Sequence, residues 1–148
     1  MKGMVLKRAT YQKWFLAAAV YNLLWGAWVG LSPGTLFSVL GMEPPSHMAI
    51  WQSVGMMVMV YAFGYYLIAR QPERYAALAW VGLAGKTLGP LGFLYAATMG
   101  ELPWAFGWTL LLNDLIWWPV FWCFALRYAR RPFDSCAEAM EQGHDRRT

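Results

Sequence analysis

Four apolar runs of nearly equal length follow one another with only short polar breaks between them, over residues 14–31, 49–69, 75–98 and 104–128. A helix rises 1.5 Å per residue, so about 20 apolar residues match the hydrocarbon layer of a bilayer. Inside lipid each backbone N–H and C=O must be satisfied within the segment itself, and a helix does that. The runs therefore predict an all-α fold, an integral membrane four-helix bundle in one domain over residues 1–131. Residues 132–148 are charged and lack apolar periodicity, and read as a polar cytoplasmic tail.

The breaks carry turn chemistry. Ser32-Pro33-Gly34 ends the first run. Residues 32–48 hold Pro44, Pro45, Glu43 and His47 and read as a loop, with a short interfacial helix over 35–40. Arg70-Gln-Pro-Glu-Arg74 and Gly100-Glu-Leu-Pro103 are the next two turns. The first run is too long for a signal peptide, Asn22 and three Trp interrupt it, and no small-residue cleavage site follows. It reads as a retained span.

The basic residues set an orientation. Lys2, Lys7, Arg8 and Lys13 precede the first run, and Arg70 and Arg74 join the second to the third. Arg127, Arg130, Arg131, Arg146 and Arg147 lie at or beyond the end of the fourth. The two remaining loops carry none. Cytoplasmic loops collect Lys and Arg, so both termini are expected in the cytoplasm of a cell whose inner membrane holds the protein.

Composition removes several function classes. Hydrophobic residues make up 59% of the chain and charged ones 14%, far from the ~25% charge of soluble domains. The net charge of +4 does not imply nucleic acid, because the basic residues sit at the ends of apolar runs. Cys123 and Cys136 do not form a CxxC pair, and no metal site is expected. Gly85-Lys86-Thr87 looks like the end of a phosphate-binding loop, but Trp80 stands where that loop needs Gly. The Met residues of the second run, among them Met56, Met57 and Met59, read as core filling. His47 and His144 have no visible acid–base partner.

One stretch stands out within this frame. Residues 110–122, LLLNDLIWWPVFW, place Asn113 and Asp114 inside a Trp-rich apolar run. A carboxylate in a span needs a partner or a task. Lys86 is the other charge deep in an apolar run. At 1.5 Å per residue, Lys86 lies roughly 16 Å and Asp114 roughly 19 Å from the cytoplasmic ends of their helices. A lysine side chain reaches across that difference. The pair reads either as a structural ion pair that fixes register or as a polar site. Asp114 has Asn22, Asn113 and Gln52 as rival partners, and Trp117 and Trp118 belong to a Trp-rich stacking surface with Trp104, Trp108 and Trp122.

Two stripes of small residues accompany the pair. Gly82, Gly85, Gly89 and Gly92 share one face of the third run, and Asn22, Gly26 and Gly30 share one face of the first. Such stripes let helices approach closely in lipid, or line a pocket for a flat apolar ligand. Pro90 and Pro119 each remove a backbone hydrogen bond near the charged residues and are expected to kink their helices.

The segments GLSPGTLFSVLGMEPP (30–45), WQSVGMMVMVYAFGYY (51–66), VGLAGKTLGPLGF (81–93) and LPWAFGWTLLLNDLIWWPVFW (102–122) resemble the DoxX-like group of small four-span bacterial membrane proteins. The resemblance spans residues 14–128. It implies a four-helix bundle of the cytoplasmic membrane, and some members of that group serve thiosulfate:quinone or other thiol redox complexes. Three readings stay open on the residues. The first is a non-catalytic subunit or lipophilic-ligand-binding protein, with a membrane protein partner or a second copy of itself. The second is a membrane enzyme or quinone-coupled redox component using Lys86 and Asp114, with a quinone or other lipid as cofactor. The third is a small proton-coupled transporter.

Overall fold

The computed structural model describes residues 6–129. The expected tail, together with Lys2, Arg130, Arg131, Cys136, His144, Arg146 and Arg147, lies outside the described residues. The fold is all-helical, with no strand among the described residues. Helix α1 covers Arg8–Leu31, α2 Thr35–Leu40, α3 Met48–Arg70 and α4 Leu78–Thr98. A 3-10 turn at Trp104–Phe106 leads into α5, Gly107–Leu110. A π-helical segment, Leu111–Leu115, joins α5 to α6, Trp118–Tyr128.

Three of these stretches are long and apolar enough to cross a membrane: Arg8–Leu31, Met48–Arg70 and Trp104–Tyr128. Helix α4 has 21 residues, a membrane-spanning length, but Lys86, Pro90 and its four glycines dilute its apolar character.

Helix α1 starts well before the apolar run. Its first turns are polar, and they are held by α3 and the turn after it. Arg8 donates from Nε to Oε1 of Glu73 at 2.8 Å, and Gln12 donates to the Ala69 carbonyl at 2.9 Å. Both side chains of the Arg8–Glu73 pair are about half exposed. The hydrogen bond from Arg8 holds the Glu73 carboxyl below the ordinary glutamate range. Its stabilisation is therefore present above the ordinary glutamate pKa and is lost as pH falls through the lowered one. An exposed pair of this kind contributes little and is screened by salt. Arg8→Gln is expected to raise the Glu73 titration, followed by carboxyl NMR, toward the ordinary value. A midpoint that does not move would refute the contact.

Helices α2 and α4 stop the same way. Gly41 and Gly100 sit at φ +64° and +76°, where a Cβ is strained. After each, the chain folds back, with Met42 N–H donating to Phe37 at 2.8 Å and Glu101 N–H donating to Ala96 at 2.9 Å. These are the bonds of a glycine-terminated helix end.

Helices α1 and α3 are an antiparallel pair fastened by polar side chains. Gln12 donates to Ala69, Asn22 to Val58 and Gln52 to Gly30, at 2.9, 3.5 and 2.9 Å. The residue number rises on one helix as it falls on the other. In lipid such bonds hold helices together where the hydrophobic effect does not. Between them the backbones nearly touch. A Cβ on Gly26 would stand 2.5 Å from the Gly55 carbonyl oxygen, and one on Gly55 would stand 3.0 Å from that of Gly26. Of the expected α1 stripe, Gly26 makes this contact, whereas a Cβ on Gly30 meets nothing within 4 Å.

Helix α4 runs antiparallel to α5 and α6. Trp80 Nε1 donates to the Ala129 carbonyl at 3.4 Å, and Phe93 stacks near Phe106, centroids 6.2 Å apart. Where all four rods meet near the N-terminal end of α1, the core is aromatic. Phe15 lies 4.5 Å from Phe121 and 4.7 Å from Phe124, ring to ring, and Phe121 meets Tyr65 edge-on at 4.8 Å. Tyr11 closes the cluster against Phe124 at 5.4 Å. This plug forms the floor of the site above it.

Candidate functional site

The site begins with a shift in the hydrogen-bond ladder of the last helical stretch. At Leu111–Leu115 the chain adds a residue to the turn. Ile116 N–H donates five residues back to Leu111, and Trp117 N–H only three back to Asp114. The carbonyls of Leu112 and Asn113 thereby lose their ordinary helical donors. Two side chains take them over. The Trp117 indole donates to Leu112 at 3.1 Å, and the Lys86 ammonium donates to Asn113 at 2.6 Å. A freed carbonyl in lipid is costly, so the bulge stands on these two donors.

The two prolines sit differently in their helices. Helix α4 continues through Pro90 without interruption. Pro119 sits in the first turn of α6, where a missing N–H costs little. The break in the fourth run lies before the proline, at the bulge.

The Lys86 ammonium stands 3.6 Å from Oδ1 of Asp114. Both are buried, at 3% and 7% exposure. Asp114 also accepts from the Asn113 amide at 3.2 Å. The ammonium lies over Tyr65 and Phe121, 5.7 and 5.8 Å from their centroids, where the rings' negative faces favour a cation. The charges meet through close backbone approach. A Cβ on Gly89 would stand 3.4 Å from Oδ2 of Asp114, and one on Gly82 would stand 2.8 Å from the Tyr65 ring.

The pair forms part of the wall of a cavity of about 280 Å³ between α1, α3, α4 and the α5–bulge segment. Gly82, Gly85 and Gly89 of the α4 stripe line it, and Gly92 does not. Of the polar residues singled out in the sequence, Lys86, Asp114, Asn113 and Asn22 line this one space. The others lie elsewhere. Gln52 is committed to the Gly30 carbonyl. Trp117 packs against Trp14 and Tyr21 of α1. Trp118 is half exposed and donates to the Thr87 hydroxyl at 3.1 Å.

Sequence reasoning passed over the aromatic walls: Trp25, Trp51, Tyr61, Tyr65 and Phe106. The 61/65 spacing of the two tyrosines, one helical turn apart, was the available signal. Chemically the space offers aromatic surface, amide groups, and an ammonium and a carboxylate that neutralise each other. That suits an uncharged flat molecule with a polar group.

No family model, curated protein or solved structure matches the chain.

Proposed function

We propose that this chain is a small integral membrane protein that crosses the bacterial inner membrane four times and binds a lipophilic molecule without transforming it. The observation that carries the reading is the cavity, with aromatic walls and with Lys86 and Asp114 at its edge. Its volume is at the lower end of small-molecule pockets, enough for a ring system or the head of a longer lipid.

Several features support the topology. Leu6 accepts from Arg127 at 3.4 Å, and Arg8 pairs with Glu73. The N-terminal end of α1, the α3–α4 turn and the end of α6 therefore share one end of the molecule. That is also the end where the basic residues gather, which favours a cytoplasmic placement of both termini. Helix α4 has the length to cross, and its one charge is neutralised by Asp114. The resemblance to DoxX-like proteins agrees with this arrangement and with a role beside a larger membrane partner.

The test is gentle extraction of tagged protein from its native membrane, followed by mass spectrometry of everything that stays bound. A small lipophilic molecule in stoichiometric amount is expected. It should be lost from protein carrying Lys86→Met together with Asp114→Leu. A folded protein that carries nothing would sink the binding role, and transport through the same space would take its place. A stoichiometric protein partner with no small molecule would make the chain an accessory subunit.

A further inference from the structure

We infer that the cavity fills from within the bilayer, through a lateral mouth between α3 and α4. Its ligand is a molecule whose ring system lodges in the cavity while a hydrocarbon chain stays outside in the lipid. This rests on the binding role proposed above, and specifies the form of the ligand and the route it takes.

The lining reaches the outer surface in one place. Three lining residues are exposed: Val54 at 38% and Met57 at 62% on α3, and Gly89 on α4. None of the lining residues from α1 or from the α5–bulge segment is exposed. The cavity therefore opens along the seam between α3 and α4.

The glycines of α4 trace how that seam parts. A Cβ on Gly82 would stand 2.8 Å from the Tyr65 ring, and one on Gly85 would stand 3.2 Å from the Tyr61 hydroxyl, so both positions touch α3. One turn further, a Cβ on Gly89 meets Asp114 and Leu110 but no atom of α3, and one on Gly92 meets nothing within 4 Å. The two helices touch beside the charged pair and diverge beyond it. Elsewhere the cavity is closed by rings and by backbone. Tyr65 and Phe121 form its floor, and Trp51 caps the opposite end against Trp25, Phe37 and Phe106, with centroids 5.9, 5.4 and 6.2 Å away. The Gly26–Gly55 crossing seals α1 against α3.

In the proposed topology the mouth lies at hydrocarbon depth. Met57 and Gly89 each stand roughly 13 Å or more from both ends of their helices. A hydrocarbon core about 30 Å thick surrounds such a point on both sides. A lipophilic molecule collects there and a water-soluble one does not. The rim of Val54, Met57 and Gly89 carries no charge, and the unbranched Met57 side chain swings aside easily. At about 280 Å³ the cavity takes a ring system but not a long chain as well. The chain has no need to enter, because it meets the same apolar medium in the mouth as in the lipid.

Methyl and dodecyl esters of 2-naphthoic acid test this. They share the ring and differ in the chain. Saturable energy transfer from the tryptophans to the naphthoate ring is measured on the full chain in liposomes. Affinities are expressed per mole fraction of ester in the bilayer. The two are expected to agree within about threefold, because the chain stays in an apolar medium throughout. A dodecyl ester with a diazirine half-way along its chain, photolysed in place, should label residues 54–61 of α3 and 85–92 of α4. Excess methyl ester should suppress that labelling.

If the methyl ester binds and the dodecyl ester binds more weakly than that margin, the cavity is closed to a chain. The inference then fails and the binding role stands. It fails in the same way if the suppressible label falls on α1 or α6. If neither ester binds saturably, the binding role fails and the inference falls with it.

Discussion

Lys86→Met is expected to destabilise the protein by about 3–5 kcal/mol, the range for removing one partner of a buried ion pair. Asp114 would keep its burial and its Asn113 contact but lose the ammonium 3.6 Å away. The Asn113 carbonyl, already outside the helical ladder, would lose its 2.6 Å donor at the same time. One substitution thus strands two groups. The double change Lys86→Met with Asp114→Leu removes the stranded charge and should recover most of the loss, because apolar replacements of buried pairs are often neutral. The Asn113 carbonyl stays unpaired in both variants, so recovery should stop short by about 1–3 kcal/mol. Reversible unfolding in mixed micelles measures each value. A single variant within about 1 kcal/mol of the parent would show that the pair does not act as a unit. Exchanging the two residues, Lys86→Asp with Asp114→Lys, distinguishes roles. A register device tolerates the swap, whereas a ligand site does not.

The second large effect is expected at the α1–α3 crossing. Gly26→Leu places a Cβ 2.5 Å from the Gly55 carbonyl oxygen and 2.5 Å from Cγ of Met59. Met59 can swing aside, but the Gly55 backbone cannot, so the helices must separate. Overpacking of this kind costs about 1–3 kcal/mol before anything else is lost. Separation would also break the Asn22–Val58 and Gln52–Gly30 bonds on either side, so the full cost should lie at or above the top of that range. Gly30 and Gly92 provide the control, since a Cβ at either meets nothing within 4 Å. Gly30→Ala and Gly92→Ala should leave stability unchanged or raise it by up to about 1 kcal/mol, the helix-propensity gain. If Gly26→Leu and Gly30→Ala unfold at the same denaturant concentration, the close crossing is absent.

Much of the frame was legible in the sequence because its causes are local. Apolar run length, the Ser-Pro-Gly and Gly-Glu-Leu-Pro breaks, and the two adjacent prolines act on their own neighbours. The long helices and the short helix over 35–40 follow from them. The prominence of Lys86 and Asp114 was legible too, because a charge within twenty apolar residues stands out without any neighbour being known.

Three features were decided only when the helices met. The partner of the Gly26 stripe is Gly55, a single glycine with no stripe of its own, and only the crossing point reveals it. The cavity has walls from four separate stretches of chain, so no one stretch announces it. The bulge at Leu111–Leu115 is the clearest case. In an unbroken helix Asp114, Trp117 and Trp118 stand at i, i+3 and i+4 and share a face. The inserted residue rotates everything after it by about 100°, so Asp114 faces the cavity while both tryptophans turn away. Nothing within residues 110–122 provides all the donors that make such a bulge tolerable in lipid. One of them, Lys86, comes from another helix, so the sequence determined which residues are helical and which are charged, and the packing of α4 determined which way they face.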